Sequence, residues 1–203
     1  MKCDVILAGV GGQGVLSIAA IIARAAVKEG FLMRQSEVHG MAQRGGAVLA
    51  HLRIAGGPIA SDLTPRGGAD LIISMEPMES LRYAAWLAPE GTLITAAERF
   101  INIPGYPSLP LILESIQKFP RRRIIEAAGL AREAGFARAV NMVMVGAASP
   151  FLPIPAETLE EAIAEMFASK FSDSGGVRDS AGIRGSVADA NRRAFKMGRE
   201  AAK

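Results

Sequence analysis

The chain has 203 residues, half of them hydrophobic, with one cysteine and 23 Lys and Arg against 20 Asp and Glu, a net charge of +3. That length suits one α/β domain whose core needs no disulfide, and a lone thiol excludes a disulfide framework, a four-cysteine zinc site or an iron–sulfur cluster held by this chain alone. So small a charge surplus and an aromatic share of 5% argue against a nucleic-acid partner, and no apolar run nears the ~18 residues that cross a bilayer. The N-terminus is short, glycine-broken and without a cleavage pattern, so the expected setting is cytoplasmic, with no membrane partner.

Taken in chain order, residues 5–8 are a short apolar run ending at Gly9, the form of a strand buried on both faces. A glycine-rich turn follows over 9–14. Residues 15–27 then carry Leu16, Ala19, Ala20, Ala23 and Val27 at helical spacing, with Gly30 just beyond. Residues 31–38 supply a second strand, and Gly45-Gly46 opens a third over 47–54. After loop chemistry at Gly56-Gly57-Pro58 comes a buried strand over 70–74. Pro77 marks the first turn of a helix expected to reach about Leu87, with Pro89-Glu90-Gly91 as its stop and residues 92–96 as the next strand.

Residues 98–110 hold Pro104, Gly105, Pro107 and Pro110 and read as a loop. A helix near 111–118, a strand near 124–128, a short helix near 130–135 and a buried helix over 141–148 complete the alternation. The dense basic cluster Arg121-Arg122-Arg123 reads as a solvated loop or helix end. Thr158 and Glu161 have capping-box spacing and would open an amphipathic helix to about Phe167. Residues 170–185, rich in Ser, Gly and Asp, read as a flexible loop. Ser186 then caps a last helix with Ala190, Ala194, Phe195 and Gly198 on one face.

Strands alternating with helices imply a three-layer α/β/α fold with a mostly parallel, Rossmann-like sheet, plus C-terminal helices, in a single domain over 1–203. Gly9-Val10-Gly11-Gly12-Gln13-Gly14 fits G-x-G-x-x-G between a strand and a helix. Glycines there let the backbone turn tightly and approach a phosphate at the positive end of the helix. The expected ribose-binding acid is missing from its usual context, because Glu37 lies in Ser36-Glu37-Val38-His39-Gly40-Met41-Ala42-Gln43-Arg44-Gly45-Gly46. So many polar groups between glycines mark a site loop. Glu37 and Arg44 can pair to fix it, and Gln43 and Arg44 can face a ligand while Gly45 and Gly46 let the backbone close in.

These two glycine segments together resemble the γ-type domain of the 2-oxoacid:ferredoxin oxidoreductases, with the likeness tightest to the branch that acts on indolepyruvate. Further matches are Asp70-Leu71 with Glu76-Pro77, Tyr106-Pro107-Ser108, residues 141–147 and the stretch from Asn191 to Gly198, so the likeness spans most of the chain. The resemblance implies one subunit of an enzyme that decarboxylates an aryl pyruvate oxidatively, yielding acyl-CoA, carbon dioxide and reduced ferredoxin. Thiamine diphosphate and 4Fe-4S clusters are then carried by a large α subunit, which passes electrons to ferredoxin, and none is held by this chain alone. The γ-type domain would line the region near the active site and reach coenzyme A. The matched positions that would contribute are Gly11, Gly12, Gln13 and Gly14 at the first turn, and Glu37, Gln43, Arg44, Gly45 and Gly46 at the second. Arg44 suits an anionic group best, and no residue is assigned bond-making chemistry.

Other readings follow from the same residues. One is the γ subunit of a pyruvate or 2-oxoisovalerate ferredoxin oxidoreductase; another is a self-sufficient NAD-dependent dehydrogenase; a third is a scaffold using its glycines only for close packing. His39 reads as a loop-fixing residue and His51 as a satisfied sheet residue. Cys3, His39 and His51 lack metal-ligand spacing, Ser17 and Ser36 lack a nucleophile elbow, and Met142 and Met144 read as adaptable packing.

Overall fold

A computed structural model describes residues 1–39, 45–168, 177–178, 184–185 and 187–203. Strand β1 (Lys2–Val10) is buried from Cys3 onward, as a strand covered on both faces must be. Helix α1 (Val15–Lys28) follows the glycine turn and buries Val15, Ile18, Ala19, Ile22, Ala25 and Ala26. Then come β2 (Leu32–His39), β3 (Ala47–Ala55), β4 (Ala69–Ser74), α2 (Pro77–Arg82) and, after a 3-10 turn over Ala84–Trp86, β5 (Leu87–Ala96). The remaining elements are α3 (Leu109–Gln117), β6 (Arg122–Ile125), α4 (Ala127–Glu133), α5 (Val140–Ala148), α6 (Ala156–Ala168), the two-residue strands β7 (Val177–Arg178) and β8 (Arg184–Gly185), and α7 (Val187–Ala201).

The six-stranded sheet has the order β2-β3-β1-β4-β5-β6. β1, β4, β5 and β6 pair in parallel, while β3 pairs antiparallel with both β1 and β2. Five strands therefore run one way and β3 alone is reversed, which refines the mostly parallel sheet to a mixed one. The larger core lies on the α1 face, where Val5, Leu7, Leu52, Ile54, Ile73 and Ile94 meet α1, α4, α5, α6 and α7. On the other face α2 and α3 cover Leu93, and Trp86 with Tyr83 covers Ile6 and Ile72. No described helix is long and apolar enough to cross a membrane.

Helices α5 and α7 cross with their backbones in contact. A Cβ on Gly146 would overlap the Phe195 carbonyl, and one on Gly198 the Val143 carbonyl, so only glycine fits at either position. Met142 and Met144 of α5 are buried in the core on the α1 face of the sheet, as packing residues.

Four expectations change. The helix from Pro77 ends at Arg82, short of the expected Leu87, which instead begins β5. The Pro89–Gly91 segment is inside β5 rather than a stop before it, because the register shifts there: Ala69 opposes Leu87 but Leu71 opposes Thr92, and the bulge tolerates a proline that donates nothing. Thr158 and Glu161 do not form a capping box, since α6 opens two residues earlier and the Thr158 hydroxyl goes to Glu29 at 2.5 Å while Glu161 meets Lys28 at 3.2 Å. The arginine cluster is not simply a solvated end: Arg122 and Arg123 start β6, Arg123 Nε donates to the Ala202 carbonyl at 2.7 Å, and Arg121 pairs with Glu90. The expected loop over 170–185, apart from β7 and β8, and the expected cap Ser186 lie outside the described residues.

Candidate functional site

In open α/β sheets a ligand crevice forms at the carboxyl ends of the strands where the chain changes direction. Here the chain leaves β1 toward β2 on one side and returns to β4 on the other, so β1 is that point. A cleft of about 460 Å³ opens there. Its walls come from Gly12–Gly14 after β1, Met75 after β4, Glu98–Phe100 after β5, and Arg138, Val140 and Asn141 at the start of α5.

The first turn is built from its own residues. Gly14 caps α1 at φ 82°, in the left-handed region, and a Cβ there would lie 2.9 Å from Asn141 Nδ2. The Gln13 side chain folds back: its Oε1 accepts from Val10 N at 2.7 Å and its Nε2 donates to the Met75 carbonyl at 3.3 Å. Gln13 thus ties the turn to the end of β4.

The two glycine segments, separated by 30 residues of chain, are hydrogen-bonded to each other. Gly11 N donates to the Gly46 carbonyl at 2.8 Å and Gly45 N to the Gly11 carbonyl at 3.3 Å. The reversed direction of β3 brings this about, because its first residue Ala47 lies opposite Val10, the last of β1. A third segment joins them: Asn102 Nδ2 donates to the Gly45 carbonyl at 2.8 Å. That loop is anchored in turn on Glu76, a buried carboxylate that caps α2 by accepting from Glu79 N at 2.9 Å. Glu76 also accepts from Phe100 N at 3.3 Å and from the Tyr106 hydroxyl. Burial pushes the Tyr106 hydroxyl above its ordinary pKa, and the neighbouring Glu76 carboxylate raises it further.

The cleft is cationic. Arg99 and Arg138 are exposed and make no ion pair among the described residues. Glu98 contributes one carboxylate: its Oε1 accepts from Ala128 N at 2.6 Å, and its buried Oε2 has no partner among the described residues. The cleft offers cations for an anionic group and one acceptor for an O–H or N–H. Its described lining sets two guanidinium groups and one carboxylate beside the glycine turn.

Of the expected site residues, Gly12, Gln13 and Gly14 line the cleft, while Gly11, Gly45 and Gly46 are hydrogen-bonded to one another and do not line it. Glu37 is exposed on β2, where Gln35 Nε2 donates to it at 3.3 Å, and does not line the cleft. Gln43 and Arg44 lie outside the described residues. His51 is a sheet residue as expected but only half satisfied: its Nδ1 accepts from Thr64 N at 3.2 Å, while Nε2 has no hydrogen-bond partner among the described residues. Sequence reasoning missed Glu98, Arg99, Asn102, Arg138 and the site role of Asn141. The proline-rich stretch after β5 gave one signal, since such a loop follows a strand's carboxyl end.

A family model described as pyruvate ferredoxin/flavodoxin oxidoreductase matches residues 4–201. The chain is 41% identical to the indolepyruvate oxidoreductase subunit IorB of Archaeoglobus fulgidus, over 85% of this chain and 90% of that protein. Among solved structures, the keto/oxoacid ferredoxin oxidoreductase γ subunit of Geobacter sulfurreducens superposes with a TM-score of 0.67 at 23% identity, covering 98% of both chains. A 2-oxoglutarate:ferredoxin oxidoreductase from Magnetococcus marinus superposes with a TM-score of 0.72 at 19% identity, over 99% of this chain and 31% of that one. Those two likenesses bear on the fold, while the match along nearly the whole sequence settles the lineage: the chain belongs to the pyruvate ferredoxin/flavodoxin oxidoreductase family.

Proposed function

We propose that the chain is the small subunit of an indolepyruvate ferredoxin oxidoreductase, active in the cytoplasm only with a large partner subunit. The observation that carries this reading is the 41% identity to an indolepyruvate oxidoreductase subunit over most of both chains. The reaction takes a 2-oxo acid, coenzyme A and two oxidised ferredoxins to acyl-CoA, carbon dioxide, a proton and two reduced ferredoxins. Each ferredoxin accepts one electron of the pair released when the carbon–carbon bond breaks.

The residues here do not fit an iron–sulfur cluster, since the only thiol, Cys3, is buried in β1 and its pKa is pushed up to about 12 by burial and by Asp70 and Asp4. Thiamine diphosphate and the clusters belong on the partner in this reading. The cleft does fit the anionic end of coenzyme A. Arg99 and Arg138 would hold phosphate oxygens, the glycine turn would admit them close to the backbone, and Glu98 Oε2 would accept a hydroxyl or amide proton. This chain binds and orients the acyl acceptor.

Co-expression with the large subunit is expected to give indolepyruvate- and coenzyme A-dependent ferredoxin reduction that neither chain gives alone. Calorimetry of the isolated chain with NAD or NADH should register no binding. Micromolar NAD binding would overturn the reading in favour of a self-sufficient dehydrogenase. Faster turnover of pyruvate or 2-oxoisovalerate than of indolepyruvate would reassign the substrate.

A further inference from the structure

The face of β3 turned away from α1 carries His51 and Arg53, and the segment after β3 folds back across it. Arg53 secures that segment by donating to the carbonyls of Ser61 at 3.0 Å and Leu63 at 3.2 Å. Its remaining nitrogens pair with the buried Asp4 at 2.8 and 3.0 Å. Between the segment, the sheet and Trp86 lies a cavity of about 580 Å³, walled by His51, Arg53, Leu63, Thr64, Arg66 and Trp86. That volume is within the range of small organic ligand sites, about 300–1,000 Å³.

The polar groups here are one-sided. No carboxylate is among the described residues that line the cavity. Arg53 is already matched by Asp4, but Arg66, lying 5.0 Å over the Trp86 ring, makes no ion pair among the described residues. His51 accepts Thr64 N–H on Nδ1, so the neutral ring carries its proton on Nε2. Burial, and then the charge of Arg53, lower the His51 pKa and so favour that neutral form. Nε2–H has no partner among the described residues. Thr64 is 3% exposed and its hydroxyl has no partner either. Buried polar groups are rarely left unpaired without a function. Residues bearing a guanidinium, an N–H and an O–H thus line one cavity with no carboxylate acceptor among its described lining residues, beside Trp86 and Leu63.

We propose that this cavity binds a small organic carboxylate with a flat apolar or aromatic body, its carboxylate meeting Arg66, His51 Nε2 and the Thr64 hydroxyl. The body lies against Trp86 and Leu63. This second site is distinct from the glycine-turn cleft: the two share no lining residue, and His51 lies opposite Ile6, well before the turn that follows Val10. It stands whichever oxo acid the enzyme uses.

Trp86 is the only tryptophan, so its fluorescence reports this cavity alone. The full chain is titrated with phenylacetate, with uncharged phenylacetamide and with inorganic phosphate, by fluorescence and calorimetry in parallel. Phenylacetate is expected to saturate and to bind at least about tenfold more tightly than the other two, the scale of one charge-assisted contact. Thr64→Val keeps the side-chain shape and removes only the unpartnered hydroxyl, so it should leave the thermal midpoint level or higher while weakening phenylacetate severalfold. Arg66→Gln, at an exposed position, should weaken it about tenfold by calorimetry. The proposal is overturned if phenylacetate does not saturate by about 10 mM. It is equally overturned if the amide or phosphate binds as tightly, or if both variants keep the parent affinity.

Discussion

Asn102 donates its side-chain amide to the Gly45 carbonyl at 2.8 Å, so the turn that opens β3 is held by the loop that follows β5. With the bonds between Gly11 and the Gly45-Gly46 pair, three segments distant in sequence form one hydrogen-bonded unit. Asn102→Ala removes the outer tie and leaves the Gly45 carbonyl to water. The expected cost in stability is about 1 kcal/mol, read from urea unfolding. In the assembled enzyme KM for coenzyme A should rise severalfold with a smaller change in kcat, because the turn is loosened and not lost.

Arg99 and Arg138 are predicted to act on binding alone. Neither holds an ion pair among the described residues, so Arg99→Glu and Arg138→Glu should leave the thermal midpoint within a degree or two of the parent. Each should raise KM for coenzyme A by about tenfold or more, since a cation facing phosphate becomes a repelling carboxylate. The effect should shrink as salt is added. An unchanged KM in both variants would remove the cleft from the site.

Tyr106 gives the fold an alkaline limit. Its hydroxyl has a pKa raised above the unfolded value of about 10, so the folded chain holds this proton more tightly than the unfolded one. Stability from this source is complete below about pH 10 and is lost as pH climbs from there through the folded value. Tyr106→Phe should lower stability at neutral pH by about 1–3 kcal/mol, since buried Glu76 loses a donor. The variant should also show a flatter decline above about pH 10, measured by denaturant unfolding across that range.

The α5–α7 crossing predicts opposite outcomes for the same substitution. Gly146→Ala or Gly198→Ala forces two helix backbones apart and should cost more than about 3 kcal/mol, beyond the usual penalty of overpacking. Gly129→Ala, in α4 with nothing within 4 Å of the added carbon, should instead stabilise by about 0.5–1 kcal/mol. Urea midpoints of the three variants decide the matter.

The first strand, turn and helix were legible because a continuous apolar run, a glycine turn and a 3.6-residue period succeed one another without overlap. The start of β5 was not, because Pro89 and Gly91 carry turn chemistry and only the shifted register beside Ala69 makes room for them. Thr158 failed differently. Its spacing to Glu161 is a capping box, yet a tertiary partner, Glu29, takes the hydroxyl. The cleft was half legible. Gly12, Gln13 and Gly14 form one local motif, whereas Glu98, Arg99, Arg138 and Asn141 come from separate elements whose meeting depends on strand order. The arginine cluster misled because a charged run says nothing of the carbonyls, such as that of Ala202, that fold back to meet it.

The reversed strand makes the candidate site a matter of register. A slip of β3 by one residue along β1 would carry Gly46 away from Gly11. The same slip would turn Ala50, Leu52 and Ile54 out of the core and drive His51 and Arg53 into it. The alignment of the glycine turns is thus guarded by apolar side chains that lie outside the cleft, since misalignment there would carry those side chains out of the core.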